Sequence, residues 1–378
     1  MTLSETDKTG KPLISTSLEV ENYRVFKHLL IPHFGRVNLI VGKNNVGKSS
    51  VLEALWLYAQ RGYPAVLVDL LRSRDEYSRV SRFSEDLKER MWDIKNLFYG
   101  REDIKDECPS IKIGPIDSSL EKLVIDIKWY VSKTDEQGLV ERQLATDPSK
   151  RSEADPFVVV RFGNTNGRLT RLDRLMERRF TSPLSTDIEK TPGQFVKANG
   201  LDAEDIAQLW DNIALKDLED SVITALHIIA PEVRRITFLG NKDARERRIP
   251  VARVDELAEP IAVRSMGEGM NRILGMALAL VNAQDGILLI DEIESGLHYT
   301  VQPDIWRLIF NLARRLNVQV FATTHGWDCV EAFQKASKEA SQENGFLIRL
   351  ERKAAEIAVT LFDERKLSIA TKEQIEVR

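Results

Sequence analysis

The sequence predicts an α/β fold built around a parallel sheet, and three observations carry that prediction. A glycine-rich loop, Gly42-Lys43-Asn44-Asn45-Val46-Gly47-Lys48-Ser49, joins an apolar run, Arg36 to Val41, to a helix-like run, Ser49 to Trp56. A second apolar run, Ile287 to Ile290, ends in two adjacent carboxylates, Asp291 and Glu292. From Ile261 onward, short apolar strands alternate with helical stretches, the signature of crossover connections in a parallel sheet.

The elements follow in order. Residues 1–12 read as a loose tail. Ser15 to Val20 alternates in part and reads as a strand; His28 to Ile31 reads as the next, before the Pro32-His33-Phe34-Gly35 turn. The glycine-rich loop and its helix extend to about Arg61. Residues 62–110 are charge-dense, with helical character from Phe83 to Phe98 and a break at Cys108-Pro109. Leu123 to Val131 and Phe157 to Phe162 are rich in β-branched and aromatic residues and read as strands. Asn166-Gly167 is a hairpin signal. Residues 170–180 carry helical periodicity. Thr181 to Gly200 holds Pro183, Pro192 and Gly193 and reads as loop. Leu201 to Ile229 reads as interrupted helix. A helix from Gly269 to Ala283 precedes the acidic strand. Then come a helix from Val301 to Leu316, a strand from Val318 to Ala322 and a helix from Trp327. Phe346 to Leu350 and Ile357 to Leu361 close the chain as paired strands. The organisation implied is 13–61 and 256–378 as two parts of one head, with 62–255 inserted between them.

Composition excludes several classes. The chain has 378 residues, 43% hydrophobic, ample for a full core. Its 54 basic and 58 acidic residues leave a net charge of −4, so any contact with nucleic acid must come from a local patch. No apolar run reaches membrane-span length, and Met1 to Lys11 lacks an apolar signal core. Cys108 and Cys329 are far apart, and the histidines show no metal-ligand spacing, which fits a cytoplasmic protein without disulfides or zinc.

The chemistry follows from the loop. Its sequence fits the phosphate-loop pattern G-x-x-x-x-G-K-[ST]: glycines let the backbone wrap a polyphosphate, and the next helix offers its positive end. Gly42, Asn44, Asn45, Val46, Gly47, Lys48, Ser49 and Ser50 would hold the nucleotide, with Lys48 on the β/γ oxygens and Ser49 on Mg²⁺. Asp291 would sit near that Mg²⁺, while Glu292 would act as general base on the attacking water. His325 follows Thr323-Thr324 at the end of the next strand, where ligands bind in open α/β sheets, and could hydrogen-bond a γ-phosphate. Ser265-Met266-Gly267-Glu268-Gly269 precedes a helix. It is either anion-binding surface or ordinary capping.

These motifs, in this order and with this wide central gap, resemble the ABC-type ATPases of the SMC/RecF/OLD group, and in particular its OLD-like AAA-family ATPases. The similar stretches are Leu18 to Phe26, Asn38 to Trp56 and Ser265 to Phe333. The resemblance implies a P-loop NTPase of ABC-ATPase head type. Such a head has a mixed N-terminal sheet, a parallel core sheet with helices on both faces, and an inserted α+β subdomain. It implies that Ser265, Gly267 and Glu268 form a signature acting in trans on ATP held by a second copy. It further implies Glu292 as base, His325 as switch histidine and Arg24 as a residue close to the nucleotide. His298 stands where related heads place Asp. Gln60, Gln143 and Gln194 are the candidates for the glutamine that completes Mg²⁺ coordination. The stretch after His325 is too short, and its Glu331, Glu339, Glu343, Glu351 and Glu356 lack the Asp-x-Asp pattern, for a Toprim nuclease domain.

The function implied is ATP hydrolysis by a homodimer, with higher assembly left open, in prokaryotic DNA maintenance or anti-phage defence beside a separately encoded effector. The alternative is an ATP-gated interaction module with little turnover that controls a nuclease or toxin. Residues 234–253 hold seven basic side chains and read either as a DNA contact or as a solvated face; Arg168, Arg171, Arg174 and Arg178 pose the same choice.

Overall fold

The computed structural model describes residues 13–76, 94–102, 109–118, 121–134, 140–146, 153–165, 167–175, 190–214, 216, 218–240, 248–255, 257–340, 345–354, 356–373 and 376–377. Sixteen strands among these form three sheets.

The core sheet holds β3 (Val37–Val41), β9 (Gly193–Val196), β13 (Ile287–Ile290), β14 (Gln319–Thr323), β15 (Gly345–Lys353) and β16 (Glu356–Phe362). Their order is β16-β15-β3-β14-β13-β9, and all neighbours are parallel except β16, which returns antiparallel along β15. Every residue of β3, β13 and β14 is buried, because a parallel sheet is covered on both faces. That is why their sequences are apolar runs without alternation.

Seven strands form the second sheet: β1 (Leu18–Tyr23), β2 (Phe26–Ile31), β4 (Ile111–Gly114), β5 (Leu123–Thr134), β6 (Val140–Leu144), β7 (Asp155–Phe162) and β8 (Arg168–Arg171). Every recorded pairing in it is antiparallel, where the sequence reading expects a mixed sheet. Tight reversals such as β1–β2 and β7–β8 permit only antiparallel neighbours. The third sheet is the antiparallel ribbon β10 (Val233–Gly240), β11 (Arg248–Val254) and β12 (Ile261–Ala262).

Helix α1 (Lys48–Ala59) lies between the core sheet and the antiparallel sheet, in one hydrophobic cluster with Ile40, Leu289 and Phe321 on one side and Leu18, Phe26 and Ile113 on the other. It is buried all round, which explains a sequence without a polar stripe. Helix α2 (Pro64–Ser73) opens on a proline at its first turn and joins the same cluster. The opposite face of the core sheet carries α3 (Ala203–Ile213), α4 (Glu219–Leu226), α5 (Glu268–Asn282), α6 (Gln302–Arg315) and α7 (Trp327–Glu339), packed on Leu39, Leu288, Ile290, Val320 and Ala322. Helix α8 (Glu364–Lys372) follows β16.

Three elements differ from the sequence reading. The Thr181–Gly200 stretch, read as loop, supplies β9, the edge strand beside β13. Arg168 and Arg171 lie on β8, paired with β7, and only Leu172–Leu175 is helical; Arg178 lies outside the described residues. The Phe83–Phe98 helix falls largely outside the described residues, and Lys95–Leu97 is a 3₁₀ turn. Strands from 62–255 are hydrogen-bonded into both larger sheets, so the divisions at 61/62 and 255/256 separate no sheet from another. Among the described residues, no helix is long and apolar enough to cross a membrane.

Candidate nucleotide site

Three neighbouring parallel strands deliver the site. β3, β14 and β13 all end on the same side, so the loops that follow them converge there. The loop after β3 turns on Gly42 (φ 147°) and Gly47 (φ 100°). A Cβ on Gly42 would lie 2.4 Å from the Leu350 carbonyl oxygen, and one on Gly47 would lie 2.6 Å from the Phe26 ring. Glycine is therefore required at both positions by backbone conformation and by crowding. Helix α1 starts at Lys48 with no side-chain cap, leaving its first-turn N–H groups for an anion. Arg352 on β15 donates to the Asn45 carbonyl at 3.1 Å and steadies the loop from outside, a contact the sequence does not announce.

Lys48 folds back into this loop. Its Nζ donates to the carbonyls of Gly42 (2.7 Å) and Lys43 (3.2 Å) and lies 3.2 Å from His325 Nδ1. Burial pulls the Lys48 pKa below its ordinary value, against the opposing charges of Asp291, Glu292 and Glu294. The other ring nitrogen of His325, Nε2, faces Glu292 Oε1 at 3.6 Å.

The acidic strand end is built as tightly. Asp291 Oδ1 accepts from Ser49 Oγ (3.1 Å) and from Thr323 Oγ1 (2.6 Å). Thr323 Oγ1 also accepts the Glu292 N–H at 2.8 Å. Glu292 has φ 48°, a left-handed conformation unusual away from glycine. Glu294 accepts the N–H groups of His325 (2.8 Å) and Gly326 (3.1 Å), which tethers the histidine loop to the acidic loop. A hydroxyl and a carboxylate already facing each other are hard oxygen donors, so Ser49 and Asp291 fit Mg²⁺.

The remaining sequence candidates are placed elsewhere. Arg24 is not brought into the cluster. Its side chain is 1% exposed and paired with Glu53 (Nε–Oε2 3.0 Å) and with Glu76, which ties the guanidinium to α1. Burial works against its charge, but Tyr23, Glu53 and Glu76 hold its pKa above the ordinary value. Asn44 and Asn45 are exposed on the loop, while Val46 and Ser50 are buried beneath it. Ser265, Gly267 and Glu268 are exposed at the start of α5, beside the Gly296 and Leu297 turn. His298 is exposed, and its Nδ1 accepts the Thr300 N–H at 3.5 Å, capping the short turn that follows it. None of the three glutamines stands at the site: Gln60 donates to Thr191 O, Gln143 pairs opposite Val131 in the antiparallel sheet, and Gln194 sits mid-strand on β9.

More than half of the chain, residues 129–325, matches the family described as AAA domain, putative AbiEii toxin, Type IV TA system. The chain belongs to this AAA family. Residues 15–152 also match the AAA ATPase domain family, and together the two stretches take in the phosphate loop, the acidic strand end and His325. The architecture is an α/β fold whose parallel core strands carry the phosphate loop, the acidic strand end and His325, as the motif order implies. A Helicobacter pylori ATP/GTP phosphatase is 22% identical over 85% of this chain and 88% of its own length. An uncharacterized Methanocaldococcus jannaschii protein, MJECL10, is 38% identical over 15% of this chain and 26% of its own. Among solved structures, the SMC head of Thermotoga maritima is similar at TM-score 0.41 and 14% identity, covering 92% of this chain and 98% of that one. A Pyrococcus furiosus Smc head bound to the C-terminal domain of ScpA is similar at TM-score 0.49 and 11% identity, covering 96% and 99%.

Sequence reasoning missed four working residues. Thr323 lies in a quoted motif, but its hydroxyl's double duty is invisible without the neighbouring strand. Glu294, Arg352 and Arg272, whose Nη2 donates to the Asp291 and Glu292 carbonyls, act on backbone groups, and contacts of that kind leave no spacing signature.

Proposed function

We propose that the chain is an ATP hydrolase that binds ATP–Mg²⁺ in the loop 42–50 and works as a homodimer with nucleotide between two heads. The observation that carries this is the meeting of Lys48, Ser49, Asp291 and His325 within hydrogen-bond reach across separations of 242 and 277 residues. The loop amides wrap the polyphosphate, and Lys48 exchanges the Gly42 and Lys43 carbonyls for β/γ oxygens. Ser49 and Asp291 hold Mg²⁺, which when bound neutralises phosphate charge. Glu292 takes a proton from water as its oxygen attacks the γ-phosphorus; the bond to the ADP oxygen breaks, and ADP and inorganic phosphate leave. His325 donates Nε2–H to the γ-phosphate. Ser265, Gly267 and Glu268 reach the partner's nucleotide from their exposed turn.

A role beside a toxin or in defence draws support from the family description, putative AbiEii toxin and Type IV TA system, while DNA maintenance rests on the motif resemblance alone. A DNA contact through residues 234–253 gains little support: Arg234 is paired with Asp255, Arg248 with Asp211, and Arg253 donates to Ala258 O. Residues 241–247 lie outside the described residues.

Steady-state phosphate release from wild type and Glu292→Gln tests the reading. Wild type should exceed the variant by on the order of 100-fold, the usual contribution of a positioned base. Equal rates would refute hydrolysis and leave the ATP-gated module that controls a separate effector. A Glu292→Gln chain that stays monomeric with ATP–Mg²⁺ in light scattering would refute the sandwich.

A further inference from the structure

We propose that Arg272 is a positioning residue: it pins the backbone of Asp291 and Glu292 and ties their geometry to the exposed turn at the start of α5. The inference rests on the hydrolytic reading above. Arg272 lies one turn into α5, just after the Ser265–Gly267 segment. It is 6% exposed, and arginine is rarely buried so far without a paired carboxylate. Its guanidinium donates instead to four backbone carbonyls. Nη2 donates to Asp291 O (2.9 Å) and Glu292 O (3.0 Å); Nη1 donates to Lys197 O (2.8 Å) and Ala198 O (3.4 Å). One guanidinium thus staples the loops that follow two adjacent parallel strands, β13 and β9.

The staple falls where backbone strain is stored. Glu292 holds φ 48°, and a non-glycine residue keeps that conformation only when its surroundings over-determine it. Both of its backbone groups are held: the N–H by Thr323 Oγ1 at 2.8 Å and the carbonyl by Arg272 at 3.0 Å. The left-handed turn aims the carboxylate at His325 Nε2, 3.6 Å away. A lysine cannot reproduce the grip, because four carbonyls in two directions need the four terminal N–H donors of the planar fork, and an ammonium has three on one nitrogen. Burial lowers the Arg272 pKa, with Asp291, Glu294, Glu292 and Glu268 opposing. Helix α5 is a rigid rod, so a pull on residues 265–267 from a second head moves the same guanidinium and, with it, the two carbonyls it holds.

The test uses the full chain with Arg272→Lys, Arg272→Met, Glu292→Gln and the Arg272→Met/Glu292→Gln double variant. Arg272→Met should lower kcat for ATP on the order of 10- to 100-fold through misplacement of the base, with KM changed by less than about threefold. Arg272→Lys should fall between Arg272→Met and wild type. The double variant should be no slower than Glu292→Gln, since both act through one group. A rise in KM at unchanged kcat, or losses that multiply in the double variant, would overturn the proposal. A wild type no faster than Glu292→Gln defeats the hydrolytic reading by itself. The crystal structure of Arg272→Met then decides the positioning role: Glu292 relaxed to negative φ supports it, and Glu292 still at 48° overturns it.

Discussion

Glu53 is the ionic anchor that seats α1, and its neutralisation should be felt as lost stability. Its carboxylate is 5% exposed and accepts from Arg24 Nε at 3.0 Å, Arg74 Nε at 2.6 Å and the Tyr23 hydroxyl at 3.2 Å. Burial and the Glu53 charge push the Tyr23 phenol up, so it stays a neutral donor. Glu53→Gln keeps the shape and removes the charge. The new NH2 group cannot accept from a guanidinium, so one charge-assisted bond, worth about 1.5–3 kcal/mol net, is lost while the other keeps the amide oxygen. Arg24 keeps Glu76, and Arg74 is a third exposed and relaxes toward water, so the lower half of that range is expected. Removing one partner from a buried pair costs more than replacing both with apolar groups. Arg24→Met/Glu53→Met should therefore lose at least about 1 kcal/mol less than the sum of its single variants. Urea unfolding followed by tryptophan fluorescence measures both, with Trp56 on the same helix as reporter. A change under about 0.5 kcal/mol for Glu53→Gln, or strict additivity in the double variant, would refute the anchor.

Two more expectations follow from the site and its surroundings. Thr323→Val strips the hydroxyl that holds both Asp291 and the Glu292 amide, so phosphate release should drop on the order of 10-fold or more and the Mg²⁺ requirement should rise. Thr323→Ser should restore most of both, and an unimpaired valine variant would contradict the geometry. Burial pushes the Cys329 thiol up to about 12 from 9.0. Mass spectrometry of the Cys329 peptide should find labelling by iodoacetamide at pH 8 slower than for an exposed cysteine by roughly 1,000-fold, the thiolate deficit that the shift implies. The unfolded chain ionises this thiol first as pH climbs, so its contribution to stability is present below pH 9 and is lost between 9 and 12.

The nucleotide loop was legible because phosphate chemistry dictates a short contiguous spacing, and the acidic strand because burial on both faces leaves an unbroken apolar run. The parallel part of the sheet could be read from Ile261 onward for the same reason. β9 was not legible. Its four residues follow Pro192 and begin with Gly193, punctuation that normally marks a loop. The glycine is there because a Cβ would press on Ile287 at 2.8 Å and on Trp56 at 3.1 Å, a crowding that only the folded neighbours create. The arginines at 168 and 171 mimicked a helical face, yet cross-strand pairing with β7 overrode that spacing. Arg24 was expected beside the nucleotide, but Glu53, one turn beyond Ser49 on α1, captures it. Side chains whose partners are carbonyls or amides, Arg272 and Glu294 foremost, leave no trace in a linear pattern.

β3 has both its hydrogen-bonded neighbours, β14 and β15, near the far end of the chain. During synthesis on the ribosome this strand emerges early and has no sheet to enter until residues beyond 319 follow it out. Closing so long a loop is slow, and an unpaired apolar strand is prone to aggregate meanwhile. Translation of β14 and β15 therefore precedes the first moment at which the nucleotide cradle can exist, and a nascent fragment ending before β14 lacks the strands that frame it.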